Sequence, residues 1–227
     1  MAFQKTKVDA ALGYEIMQHL ESLGLQTPCI KEALHVDNKT KIDIIETHMT
    51  EILKTLGMDL SDDSLIETPK RIAKMMVLEN YWGLLPENFP KNTTIENKLH
   101  LDNMVTVGDI NVSSYCEHHG LPILGKAYIA YVPKDRIIGL SKLSRVVDYF
   151  SRRLQVQERL TAQIYHALSY MLDTPDVAVG INAAHLCMTT RGVEDPNAWT
   201  QTTKLGGAFK TELGMRVEFL DLMKARN

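Results

Sequence analysis

Cysteine is scarce in this chain: 227 residues hold three, Cys29, Cys116 and Cys187. An odd count this low excludes a disulfide-stapled scaffold and fits a reducing compartment. Long apolar runs are missing too. No stretch approaches the roughly 18 apolar residues that a membrane-spanning helix needs. The start, Met1 to Asp9, lacks the apolar centre of a signal peptide. These absences predict a cytoplasmic protein that meets no membrane. An excess of one charge is also missing: 25 basic and 28 acidic residues leave a net −3. No global field gathers nucleic acid, and none is expected as a partner. A polyanion must be held by a local basic cluster. The 13 glycines and 8 prolines follow no period, which excludes collagen-like and low-complexity readings.

What is present is globular in type, with 44% hydrophobic and 23% charged residues. The length suits one domain with an extension. Residues 9–23 place Leu12, Ile16, His19 and Leu20 on one helical stripe. Residues 39–56 repeat the pattern with Ile42, Ile45, Met49, Ile52, Leu53 and Leu56, and Gly57 stops it. A third helix starts near Thr68, read as its cap, with Pro69 in the first turn and Ile72, Met75, Met76 and Val77 inward. A polar connection follows from about Gly83 to Asn103.

From Met104 the period changes. Residues 104–115 and 123–133 are β-rich and predict an antiparallel pair around Cys116–Leu121. Residues 140–151 put Leu140, Leu143, Val147 and Phe150 on one helix face. Residues 156–172 carry Val156, Leu160, Ile164, Leu168 and Leu172 at intervals of four. Residues 176–190 read as strand, and 214–224 as a final helix. This order predicts an α+β fold, with an N-terminal helical region (1–103) and a second region (104–227) that holds the sheet.

The densest chemistry is Cys116-Glu117-His118-His119. Cys116 and His119, spaced C-x-x-H at a strand end, can aim thiolate and imidazole at one metal. His185 and Cys187 are two apart in the last predicted strand, so both point to one face of the sheet. Either completes a three-ligand set. Three protein ligands leave the open position of a catalytic zinc, whereas structural zinc is usually closed by four. An imidazole's unperturbed pKa lies near neutrality, which suits histidines left beside the metal to proton transfer. Ser141, Lys142 and Arg145 cluster near a helix start, a good place for phosphate. There is no P-loop motif. Arg71 and Lys74 form an i, i+3 pair, and Arg191 follows the His-x-Cys segment. Gln157 and Glu158 lie off the apolar stripe of their helix, where Glu158 can accept from an amino-imino edge such as that of guanine.

Five ordered segments resemble the type I GTP cyclohydrolases: S-x-C-E-H-H-x-L-P-x-x-G-K-A (114–127), G-L-S-K-L-S-R (139–145), Q-V-Q-E-R-L-T (155–161), A-H-L-C-M-x-x-R-G-V (184–193) and T-x-L-G-G-x-F (203–209). The helical E-T-P-x-R-I-A-K-M (67–75) fits as well, so the resemblance spans roughly residues 39–224. It implies the tunnelling fold, an antiparallel four-stranded sheet with two helices behind an N-terminal helical region. It implies a homo-oligomer, a decamer of two pentamers with sites at subunit junctions. The implied reaction opens the guanine imidazole ring of GTP at C8, releases formate, rearranges the ribose and closes 7,8-dihydroneopterin triphosphate, on the way to folate or tetrahydrobiopterin.

By motif position Cys116, His119 and Cys187 hold zinc, or iron(II), which the same donors accept. The catalytic set implied is His118, His185, Ser141 and Gln157. Glu158 anchors the guanine edge, and Lys142, Arg145, Arg191, Arg71 and Lys74 hold the triphosphate, some from a neighbouring subunit. The competing reading is a nucleotide- or pterin-binding module with a closed structural zinc, its fourth ligand Cys29 or His185. Residues 1–38 match no motif.

Overall fold

The computed structural model describes residues 7–224; residues 1–6, most of the Met1–Asp9 start, and 225–227 lie outside them. Asp9 caps the first helix, α1 (Ala10–Ser22), accepting from the Leu12 N–H at 3.2 Å. A single turn, α2 (Lys31–Leu34), leads to α3 (Asn38–Thr55), capped by Asp37 on the Thr40 N–H at 3.0 Å. The apolar stripe of α3 packs on α4 (Thr68–Met75) but is only half-buried. None of its residues is buried, and Ile52 and the adjoining Leu56 are 48% and 67% exposed. Periodicity reveals an apolar face but not what covers it.

In α4 (Thr68–Met75), Thr68 is the first helical residue rather than the cap. Glu67 takes the cap position without a side-chain bond, and Pro69 sits in the first turn as expected. The helix continues as a π-turn, Met76–Asn80. The expected open connection contains two 3-10 turns, Trp82–Leu84 and Pro86–Asn88, and a short strand, β1 (Thr94–Glu96).

β2 (Val105–Cys116) and β3 (Pro122–Tyr131) pair antiparallel as expected, with Tyr115 opposite Pro122 and Val105 opposite Tyr131. β4 (Arg136–Ile138) pairs with β1 as a separate ribbon. Then come α5 (Leu140–Ser151), β5 (Leu154–Gln155), α6 (Gln157–Leu172), β6 (Val177–His185), α7 (Leu186–Thr189), β7 (Thr200–Leu205), α8 (Gly207–Thr211) and α9 (Leu213–Lys224). The main sheet has the order β5-β2-β3-β6-β7. Its four long strands are antiparallel, and the two-residue β5 adds in parallel at the end of β2. This architecture agrees with the tunnelling fold.

The sheet is a middle layer. Ile129, Tyr131, Val179 and Ile181 face α5, α6 and the α1 residues Ile16 and Leu20. Tyr128, Ala130 and Ala178 face Phe209, Phe219 and Met223 of α8 and α9. A strand covered on both faces loses its polar alternation, which is why β6 reads as an apolar run. On α6 Leu160, Ile164 and Leu168 are fully buried, each contributing about 1.5–3 kcal/mol. On α5 Leu143, Val147 and Phe150 follow the expected face, but Leu140 is 59% exposed, because the first turn overhangs the core.

His166 of α6 faces His19 of α1 at 6.0 Å between ring centroids, with Tyr165 of its own helix and Lys204 of β7 beside it. Burial first, then Lys204 and His19, lower its pKa from 6.5 to about 4. The unfolded chain therefore takes the proton first as pH falls. This contribution to stability is full above 6.5 and is lost progressively down to about 4. His166→Gln should flatten that stretch in urea melts run across pH. An unchanged slope would place the acid sensitivity elsewhere.

Candidate functional site

The turn after β2 is closed on itself. The Cys116 N–H donates to Leu121 O and the Gly120 N–H donates to Cys116 O, both at 2.8 Å. Gly120 supplies the left-handed step, φ +65°, which a residue with a Cβ resists. The turn is also held from the side. Arg159 Nη2 donates to the Glu117 carboxylate at 2.5 Å, Arg159 Nε to Gln155 Oε1 at 2.9 Å, and the Glu117 N–H to Gln155 O at 3.0 Å. Arg159 and Gln155 received no site role from the sequence. The available signal was Glu117 itself, since a carboxylate in a half-buried turn needs a cation.

β6 ends at His185, not at residue 190 as the sequence pattern predicted. Its last partner on β3 is Ile123, and the next residue there, Pro122, has no N–H to offer. β7 has already stopped, at the Ala183–Thr200 pair. Without partners the chain turns into α7. Cys187 therefore lies on a helical turn and does not share a sheet face with His185.

That turn brings Cys187 to the other two residues. The ligand atoms of Cys116, His119 and Cys187 lie within 4.8 Å of one another. Two thiols and an imidazole can hold a borderline-soft divalent metal. Burial, then the neighbouring Cys116, raise the pKa of the Cys187 thiol, a direction that a bound cation reverses. His118 is exposed, with Nδ1 3.8 Å from Cys116 Sγ. Arg191 Nη1 donates to His119 Nε2 at 2.8 Å.

His185 stands beside this group, fixed by Gln157. The Gln157 amide nitrogen donates to Ile181 O and Thr200 O, both at 3.0 Å, and shares a 3.1 Å contact with Thr202 Oγ1. That leaves Gln157 Oε1 to accept from His185 Nε2 at 2.8 Å. The network thus assigns the ring proton to Nε2 and the lone pair to Nδ1. Burial lowers the His185 pKa, and the Glu158 carboxylate opposes this. Gln157 is buried, and Glu158 is exposed one residue further along α6.

Cys116, His118, His119, Gln157, Glu158, His185, Cys187 and Arg191 thus meet at one end of the sheet. Ser141, Lys142 and Arg145 do not. β5 ties the far end of α5 to Tyr115 and Cys116, so the first turn of α5 lies toward the opposite end. There the Ile138 N–H donates to the Tyr131 hydroxyl at 3.4 Å. The length of α5, about 18 Å at ~1.5 Å per residue, separates its first turn from the end tied to Cys116. Lys142 Nζ donates to Lys91 O at 3.0 Å, and burial, then Arg145, Lys91 and Lys7, lower its pKa. Arg71 and Lys74 are exposed on α4. The π-helical tail of α4 reaches β2, where Asn80 accepts from the Tyr115 hydroxyl at 2.5 Å.

A family model described as GTP cyclohydrolase I matches residues 45–224. The chain is 52% identical to the GTP cyclohydrolase 1 of Enterobacter sp. (strain 638), over 96% of this chain and 97% of that protein. Identity and coverage are the same for the GTP cyclohydrolase 1 of Citrobacter koseri. The Escherichia coli (strain K12 / DH10B) protein of that name is 51% identical over the same shares.

Proposed function

The chain belongs to the GTP cyclohydrolase I family and is a hydrolase with that activity; we propose that its reaction runs at the Cys116 end of the sheet, with the residues in the following roles. GTP is the substrate. Its guanine imidazole ring is opened at C8, formate leaves, and 7,8-dihydroneopterin triphosphate is the product, an entry to folate or tetrahydrobiopterin.

Cys116, His119 and Cys187 hold the metal, zinc by the character of the donors, with iron(II) the other ion they accept. When bound, the metal supplies a Lewis acid that activates water against C8. His118, exposed beside Cys116, carries protons at the opening ring. His185, with its Nε2 proton fixed by Gln157, presents Nδ1 as the proton acceptor for the ribose rearrangement. Gln157 acts through His185. Glu158 accepts from the amino-imino edge of the guanine. Arg191, Lys142, Arg145, Arg71 and Lys74 hold the triphosphate, focusing positive charge in a net-acidic chain. A neutral imidazole has one lone pair, so a metal on His119 and the Arg191–His119 bond exclude each other. With a metal on His119, Arg191 would be left to the anion.

The observation that carries this reading is a three-ligand group with a fixed histidine beside it. A closed structural site needs a fourth ligand. Of the two candidates, His185 falls outside the group of ligand atoms that lie within 4.8 Å of one another, and Cys29 lines a cavity against α1. Among the described residues the group contains only three ligands.

Ser141 is brought to the centre of His185 by a second chain, because in one chain the length of α5, about 18 Å, lies between them. The part of the α3 stripe that α4 leaves exposed, Ile52 and Leu56, supports the same assembly, a homo-oligomer that the family resemblance makes a decamer of two pentamers. Residues 104–227 form the catalytic region, and 1–103 add the helices. Two thiols this close must stay reduced to bind metal, which supports a cytoplasmic enzyme. Among the described residues no helix is long and apolar enough to cross a membrane.

Metal content and formate release from GTP, measured on one purified sample, test the reading. One metal per chain with formate and an oxidisable pterin appearing together is the expected result. Metal without formate at any GTP concentration would favour the closed binding module.

A further inference from the structure

A cavity of about 370 Å³ lies between α1, the 26–31 segment and the end of α5, and none of its lining residues belongs to the site above. Ile16, Leu20 and Leu84 give it apolar walls. Its buried charge is Arg153, 6% exposed. This guanidinium lies over the rings of Tyr149 and Phe150, 4.7 and 4.9 Å from their centroids. Its Nη2 donates to Gly83 O and, at 3.4 Å, to Tyr149 O, while its Nε has no partner.

No carboxylate of the described residues pairs with Arg153. Residues 1–6 and 225–227 contain no Asp or Glu. The acid in the cavity wall, Glu21, is already paired with Lys31 at 2.8 Å. A guanidinium does not shed its proton in a protein. Two carbonyls and two ring faces offset part of its desolvation, but a buried charge without a counter-charge stays costly. The missing partner is therefore an anion, and the space beside Arg153 can admit one. An inorganic anion would leave the apolar walls against water, whereas a carboxylate on a compact apolar body satisfies both surfaces.

We propose that this cavity is a binding site for a small monocarboxylate with an apolar body, its carboxylate held by Arg153. The test uses the metal-loaded full chain, with benzoate as probe and benzyl alcohol and inorganic phosphate as comparisons, followed by titration calorimetry and thermal melts. Benzoate should bind saturably and raise the melting temperature, at least ~10-fold more tightly than either comparison. Arg153→Met should abolish the binding. That variant also loses the bond to Gly83, so a second variant keeps the question open should it fail to fold. Cys29 is exposed and lines the same cavity. Cys29→Glu supplies an internal carboxylate, and should remove benzoate binding while melting no lower than the parent. Cys187→Ser should leave benzoate binding intact. Equal binding of benzoate and benzyl alcohol, or no benzoate binding at tens of millimolar, overturns the proposal. So does binding that survives Cys29→Glu, or binding that disappears with Cys187→Ser.

Discussion

Cys187→Ser is expected to strip the metal and end formate release in one step. Serine keeps the size of the side chain but offers a neutral hydroxyl where a thiolate is needed. The turn that carries residue 187 has no other donor to replace it, since the described group contains three ligands. The loss of metal affinity should exceed the 10–100-fold typical of outer-shell changes. Cys29→Ser is the control. Cys29 is exposed at the α1 cavity, so metal and turnover should both stay at parental levels. Metal per chain and formate, assayed on each variant, decide the matter. A Cys187→Ser protein that keeps its metal would mean that His185 is the third ligand and that Cys187 is a spectator.

His185→Ala should have the opposite signature, metal retained and turnover nearly gone. His185 ends β6 just before the turn of Cys187, but it is not one of the three residues whose ligand atoms lie within 4.8 Å of one another, and its Nε2 is held by Gln157. Losing a positioned acid–base group typically costs 10²–10⁴-fold in kcat. Gln157→Leu probes the same histidine from behind. It removes the acceptor that fixes the ring proton on Nε2, and should lower kcat by about 10–100-fold with little change in KM. Gln157→Glu keeps an acceptor toward His185 and should recover part of that loss. Metal loss on His185→Ala would sink the role assignment, and so would equal kcat for the two Gln157 variants.

The parts legible in the sequence were the local ones. Leu160, Ile164 and Leu168 declare a helix and its buried side within ten residues. Cys116 and His119 declare a metal pair because two residues of turn separate them. The rest depended on distant partners. Where β6 stops is decided by Pro122 on the neighbouring strand, so Cys187 looked like a strand residue and proved to sit on a helical turn. β7 escaped notice because Thr200–Leu205 is mostly polar; its cohesion comes from pairing with β6 and from Thr202 meeting Gln157 and Thr161. The Glu117–Arg159 pair joins positions 42 apart in the chain, which no local pattern displays. The apolar face of α3 was visible, but not that α4 covers only part of it and leaves Ile52 and Leu56 exposed.

The separation of Ser141, Lys142 and Arg145 from the Cys116 end also governs how damage is inherited. If activity belongs to a junction between chains, a defective chain can still lend its sound end to a neighbour. Take one parent disabled by Cys187→Ser and another by Lys142→Ala with Arg145→Ala, each inactive alone. Co-expressed in equal amounts and assembled at random, they should place an intact metal end against an intact basic end at about a quarter of the junctions. Two dead alleles would then restore roughly a quarter of the parental formate release. Mixtures as inactive as their parents would show instead that each chain works alone.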